Sequence, residues 1–207
     1  MKEYPTISNQ QTYTNVIAFD KLDGSNIRAE WTKKKGFEKD KFGKRHGLLD
    51  DSNPSLSIAP SLIKSSYEDN LSKIFEKERY QKVTCFFELY GPNSFAGFHP
   101  DKPEDMKVTL IDVSIHPKGF LEPRQFLKLF QDSVEIPKIL HDGKWNKELD
   151  NQVNNGTLEG MTFEGVVCKG LYISPGRPLM FKVKSQKWFD ALRKKVGNDE
   201  TKFKELA

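Results

Sequence analysis

Lys21 stands in the run VIAFDKLDGSNIRAEW, residues 16 to 31, with Asp20 and Asp23 on either side of it and Gly24, Ser25 and Asn26 following. A lysine amine attacks only when it is neutral. Its ordinary pKa is about 10.4, and lowering that by roughly 3 units requires about 4 kcal/mol of differential interaction. Neighbouring cations, a bound metal ion and partial burial can each contribute. Asp20 and Asp23 oppose this by favouring the ammonium, and a metal ion occupying the carboxylates would remove their opposition. Three more polar clusters end strand-like runs: ELYG at 88 to 91, EG at 164 to 165 and KVK at 182 to 184. Residues two apart on a strand face the same side, so Lys182 and Lys184 project together. Their repulsion, and that of carboxylates nearby, is relieved when an anion and a divalent cation sit between them. Phosphate and a metal ion meet both needs, which makes Lys21 the candidate nucleophile of a phosphate chemistry.

Taken singly, each cluster has a plainer reading. ELYG alone is an ordinary strand end, and Lys21 alone is an ion pair with Asp20 or Asp23. The functional case rests on all four together. His46, His99, His116 and His141 are scattered without metal-ligand spacing and read as surface or satisfied histidines, although His46 adjoins Arg45 and is placed to touch phosphate. Trp31, Trp188 and most phenylalanines read as core. A formal net charge of +4 is modest, but cations concentrate between Lys33 and Arg45 and again after Lys169. Both stretches suit a phosphate-bearing partner through counterion release, or are solvated lysine-rich faces. The cations at 193 to 195 are a solvated helix face or a track for a nucleic-acid backbone.

Short strands that position these groups are predicted near 15 to 19, 26 to 32, 83 to 90, 107 to 115, 163 to 168 and 179 to 184, from β-branched and aromatic enrichment between turn residues. Leu62, Ile63, Tyr67, Leu71, Ile74 and Phe75 recur at three- and four-residue steps and predict a helix from Pro60 to about Arg79. Further helices are predicted over about 123 to 131, 144 to 153 and 186 to 195, and DNQVNNGTLEG, residues 150 to 160, reads as a polar loop and hinge. Strands and helices do not alternate regularly, so the class is α+β with largely antiparallel sheets.

At 207 residues the chain suits one domain, 1 to 207. No apolar run approaches the roughly 20 residues of a membrane span, and MKEYPTISNQQ has no apolar signal core. Cys85 and Cys168 lie apart within apolar runs and read as buried, reduced thiols. The expected location is cytoplasmic, or the cytoplasm of a phage-infected host.

KLDGSN resembles the KxDG attachment motif of the covalent nucleotidyltransferases, which comprise DNA ligases, RNA ligases and capping enzymes. FFELYG resembles the third motif of that superfamily, TFEGVVCK the fourth and MFKVKS the fifth, in the same order, while GKRHG at 43 to 47 resembles its arginine-containing segment. The resemblance covers about residues 15 to 190 and is nearest to the phage-type, ATP-dependent RNA ligases. It implies an ATP-grasp-like nucleotidyltransferase fold of antiparallel sheets flanked by helices. It also implies that Lys21 attacks the α-phosphorus of ATP, expels pyrophosphate and becomes lysyl-AMP. AMP then passes to a 5′-phosphate, and a 3′-hydroxyl displaces it to seal the strand, RNA in preference to DNA. On the matching positions, Arg45 holds phosphate, Glu88 the ribose and Glu164 a magnesium or manganese ion. Lys182 and Lys184 grip the α-phosphate. Asp23 orients the lysine and shares the metal, and Gly24 lets the backbone pass close to the nucleotide.

Two departures follow. Ile111 stands before Asp112 where relatives place an aromatic ring against adenine, which predicts weaker stacking and weaker base choice. Residues 185 to 207 are too few for the OB barrel that follows the fifth motif elsewhere, so a minimal enzyme, a shortened chain or a partner or dimer supplying a second domain is expected. The rival readings are a GTP-using, capping-type guanylyltransferase with the same lysine, and a non-catalytic nucleic-acid-binding module.

Overall fold

The computed structural model describes residues 1–50, 54–100 and 102–206. The first strand, β1 (Asn15–Asp20), buries Val16 to Asp20 without a break, so it lies between two packed layers. β2 (Ser25–Thr32) alternates as its sequence predicts, with Ile27, Ala29 and Trp31 facing the core. Its opposite face is also covered. There Arg28 donates to the carbonyls of Lys2, Lys44 and Gly47 at 3.0, 2.8 and 2.8 Å, so its buried charge is surrounded by acceptors.

The remaining elements are β3 (Gly36–Lys44), α1 (Ala59–Lys77), β4 (Lys82–Tyr90), β5 (Lys107–Ile115), β6 (Gly119–Phe120), α2 (Pro123–Phe130), β7 (Ile139–Lys144), α3 (Lys147–Asn155), β8 (Gly165–Ser174), β9 (Arg177–Lys184), α4 (Gln186–Val196) and α5 (Glu200–Leu206), with 3-10 turns at Pro54–Leu56 and Phe95–Phe98. They form a four-stranded sheet in the order β7-β1-β8-β9 and a five-stranded sheet in the order β3-β2-β4-β5-β6. Every strand pairing within the two sheets is antiparallel. The expected α+β class with antiparallel sheets and flanking helices is therefore what the chain adopts.

Consecutive strands β1 and β2 belong to different sheets, so Lys21 to Gly24 form the crossover between them. α1 buries Ala59, Ile63, Tyr67, Leu71 and Phe75, one stripe at four-residue steps, against the larger core. Ile63, Leu71 and Phe75 each contribute roughly 1.5–3 kcal/mol when fully buried. A second core beneath the four-stranded sheet gathers Val16, Ala18, Trp145, Val153, Cys168 and Phe181. Both cysteines are buried and free, as expected.

Several predicted elements shift. The helix predicted over 144 to 153 begins at Lys147, because Asn146 caps it by accepting from the Leu149 amide at 2.9 Å, and residues 139 to 144 are instead the edge strand β7. The hinge expected at 150 to 160 is helical to Asn155, where Gly156 ends it in the left-handed conformation. The cationic stretch after Lys33 contains β3, anchored by the buried Phe37 and Phe42. No helix among the described residues is long and apolar enough to cross a membrane.

Candidate active site

The crossover opens onto a cavity of about 660 Å³ whose lining includes Lys21, Arg45, Glu88, Ile111, Glu164, Lys182 and Lys184, within the range of small-molecule sites. These residues come from both sheets, and the cavity lies where the sheets meet. Asp23 and Gly24 border it too, so every residue assigned from the sequence reaches one site.

Glu164 stands at its centre and is 3% exposed. Its Oε2 accepts from Lys21 Nζ at 2.8 Å, and its Oε1 is 3.1 Å from Lys184 Nζ. The local fold fixes this geometry. Gly165 pairs with Lys184 in the β8–β9 ladder, the Ser185 amide donates to the Glu164 carbonyl at 2.9 Å, and the Ser185 hydroxyl donates to the Phe163 carbonyl at 2.6 Å. Gly165 has a positive φ of 142°, and a side chain there would overlap the Val183 carbonyl oxygen. Ser185 also caps α4 by accepting from the Trp188 amide at 3.1 Å.

The charges differ from expectation in one respect. Burial pulls the Lys21 pKa down, but Glu164, Glu88 and Asp23 outweigh it, and the net shift is upward. Without a ligand Lys21 is an ammonium, not the neutral amine the sequence pointed to. Three carboxylates around one lysine exceed the effect of its desolvation. Lys184 moves the other way, to about 8, because of burial together with Lys21 and Lys182, which override Glu164. Burial also lowers Lys182, with Lys21 and Arg45 adding to the effect. Glu88 is raised to about 8 by burial and by the neighbouring carboxylates of Glu164 and Asp23. Lys182, Lys184 and Glu88 are thus shifted towards neutrality around a Lys21 that is not, a pattern that favours binding of charged groups.

Gly24 differs in its reason. A Cβ there would overlap the Leu89 carbonyl oxygen and crowd Tyr90, so the glycine permits contact with strand β4. Its amide donates to Glu88 Oε1 at 3.1 Å.

Several neighbours had no sequence signal. Asp23 Oδ2 is 2.6 Å from His99 Nε2 and accepts from the Trp188 indole N–H at 2.7 Å. His99, 7% exposed, is satisfied as expected, but by an acid of the site. Behind Ile111, the buried Lys169 donates to the Ile111 carbonyl at 2.6 Å and to Asp112 Oδ2 at 2.8 Å, and the Tyr4 hydroxyl donates to the same carboxylate oxygen at 3.0 Å. The segment from Tyr4 to Ile7 lines the cavity, and Ser8 accepts from the Lys182 amide at 2.8 Å. The N-terminal segment is therefore part of the site.

Among the described residues no three His, Cys, Asp or Glu side chains converge into a metal cage. Magnesium and manganese, however, prefer oxygen donors and are commonly held by one or two carboxylates together with substrate phosphates. Glu164, flanked by cations suited to phosphate, matches that mode.

No protein-family model and no curated protein matches the sequence. Solved structures do. An RNA ligase variant of Naegleria gruberi with AMP and Mn is 14% identical, at a TM-score of 0.62 over 91% of this chain and 57% of that one. Another variant of that ligase, with ATP and Mn, is 16% identical at a TM-score of 0.62, over 92% and 57%. A putative ATP-dependent DNA ligase from Aquifex aeolicus is 17% identical at a TM-score of 0.61, over 100% and 57%. This chain spans a little over half the length of each.

Proposed function

From a chain that has the nucleotidyltransferase fold of ATP-dependent ligases, we propose an ATP-dependent polynucleotide ligase that works through a lysyl-AMP intermediate and joins 5′-phosphate to 3′-hydroxyl ends, RNA in preference to DNA. The observation that carries this reading is the bridge from Lys21 to Glu164 at 2.8 Å and on to Lys184 at 3.1 Å, inside the cavity between the sheets.

In the first step the Lys21 amine forms a P–N bond to the α-phosphorus of ATP, the bond to the bridging oxygen breaks, and pyrophosphate leaves with that electron pair. The resting ammonium must first release a proton. Glu164 is the carboxylate in hydrogen-bond contact with it. Glu164 would hold a magnesium or manganese ion together with the nucleotide phosphates, and the ion when bound would supply neutralisation of phosphate charge. Lys182, Lys184 and Arg45 then grip the phosphates. Glu88, protonated below about pH 8, is disposed to bond the ribose hydroxyls. Ile111 covers one face of the base from above the Lys169–Asp112 pair. Asp23 orients the crossover through the two donors that engage its Oδ2, and would share the metal with Glu164.

In the later steps an oxygen of a strand 5′-phosphate attacks the AMP phosphorus and displaces the Lys21 amine, and a 3′-hydroxyl then attacks the phosphorus of the strand's 5′-phosphate, forming the new phosphodiester and expelling AMP. Positioning and charge neutralisation dominate all three transfers. The Naegleria ligase structures, which hold AMP or ATP with Mn, support the nucleotide and ion.

The test is intact mass after incubation with ATP and Mg or Mn, followed by digestion. One added AMP on Lys21, absent from Lys21→Ala, is expected, and sealing of nicked RNA is compared with nicked DNA. Labelling by GTP instead of ATP would point to capping chemistry, and no label with either would leave a binding module.

A further inference from the structure

The mouth of the cavity carries an arrangement that the phosphoryl chemistry does not use. Phe98 is 63% exposed, more than any other Phe, Tyr or Trp side chain among the described residues. It belongs to the 3-10 turn Phe95–Phe98 between β4 and β5, where the two rings stack with centroids 6.1 Å apart at 29°. Lys195 reaches across from α4 to put its Nζ 4.1 Å from the Phe98 centroid and 4.7 Å from that of Phe95. Phe95 meets Trp188 edge-on at 5.7 Å, and the Trp188 indole bonds Asp23, two residues from Lys21. Phe95 and Lys195 line the same cavity as Lys21. Lys202 of α5 also repels Lys195, adding to the lowering that burial causes.

An exposed ring and two ammonium groups at one side of a phosphate-handling cavity match a chain of flat rings joined by anions. Base-on-aromatic stacking is sequence-tolerant, and nearby lysines track the phosphates. A second copy of this chain fits poorly, since a two-fold contact through Phe98 would bring like-charged rims together. We propose that Phe98 and Lys195 form a strand-end platform, on which a base next to the joined end of the polynucleotide stacks on Phe98 while Lys195 pairs with its phosphate. This rests on the polynucleotide substrate proposed above.

The test uses the full chain with Phe98→Ala, Phe98→Trp and Lys195→Ala, and a 5′-phosphorylated RNA single strand whose terminal base is 2-aminopurine. Binding to the unaltered protein is expected to quench the fluorescence. Phe98→Ala should weaken strand affinity roughly 5- to 150-fold, the equivalent of ~1–3 kcal/mol for one stacked base, while Phe98→Trp keeps it. Lys195→Ala should lower affinity and reduce the slope of affinity against salt by about one ion. Self-adenylylation by ATP, read by intact mass, should be equal in the two Phe98 variants and the unaltered chain. Undiminished strand affinity in Phe98→Ala would overturn the platform, as would parallel loss of self-adenylylation or failure of tryptophan to substitute. A change in sedimentation mass without a change in strand affinity would make the ring a self-contact and overturn it too. If the unaltered chain takes up no AMP yet binds the strand through Phe98, the ligase reading fails while the platform stands.

Discussion

His99 Nε2 lies 2.6 Å from Asp23 Oδ2, the oxygen that the Trp188 indole N–H also reaches at 2.7 Å. The histidine follows the turn after β4 and the tryptophan sits in the first turn of α4, so two separate elements hold the crossover carrying Lys21. The His99 ring is itself packed 4.0 Å from that of Phe163, the residue before Glu164. Replacing His99 by Phe keeps a ring and loses the bond. A hydrogen bond to a charged group contributes about 1.5–3 kcal/mol, so lysyl-AMP formation in single turnover should slow by roughly 10- to 150-fold. His99→Asn should recover part of the rate. A rate unchanged in His99→Phe would show that Asp23 needs no such support.

Glu164 governs the charge on Lys21. Because that carboxylate holds the Lys21 pKa up, Glu164→Gln should lower it, and amine titration by NMR would reveal the change independently of activity. In the unaltered chain only the neutral amine reacts, so adenylylation at saturating ATP should climb with pH by up to about tenfold per unit below the lysine pKa in the complex. A flat profile between pH 6 and 9 would mean that nucleotide and metal binding have already removed the proton.

Glu88 has the opposite consequence for stability. Its folded-state pKa of about 8 lies above the unfolded value, so the folded chain holds the extra proton between about pH 4.5 and 8 and loses relative stability as pH rises through that window. Glu88→Gln should therefore melt near the unaltered protein at pH 5 and above it at pH 8. Thermal melts across the pH series check the sign. Equal shifts at both pH values would refute it.

Gly24 has no room for a methyl group, since a Cβ would overlap the Leu89 carbonyl of β4. Overpacking of this kind costs about 1–3 kcal/mol, so Gly24→Ala should lower the melting temperature by roughly 2–12 °C in a chain of this size. It should also pull the Gly24 amide from Glu88. A melting curve matching the unaltered chain would show that the crossover can shift outward.

Lys169 and Asp112 form a buried pair at 2.8 Å, with Lys169 also bonded to the Ile111 carbonyl. Removing one partner strands the other charge at a cost of about 3–5 kcal/mol. Lys169→Met should show that loss in denaturant unfolding and loosen the wall carrying Ile111.

The clusters at 21 to 24, 88 to 91, 164 to 165 and 182 to 184 were legible in the sequence because each lies at the start or the end of a strand whose apolar pattern is clear, and strand ends meet at the joint between sheets. α1 was legible for the same kind of reason, a buried stripe repeating every four residues. β7 was not. Its ILHDGK has no alternation, as expected of an edge strand whose residues are mostly half-exposed or exposed. β3 was hidden because four charged residues, Glu38 to Lys41, separate the two phenylalanines that anchor it. His99, Trp188 and Lys169 lie 76, 165 and 57 residues from the acids they bond, and nothing local distinguishes them.

Residue order alone determined which chemical groups are available: a candidate lysine nucleophile, carboxylates and cations that can surround it, and the strands that bring them together. Tertiary structure decided their charge and orientation. Whether Lys21 is protonated depends on the balance between losing water and gaining Glu164 at 2.8 Å, and that balance varies with distance and burial, which no linear pattern of residues records.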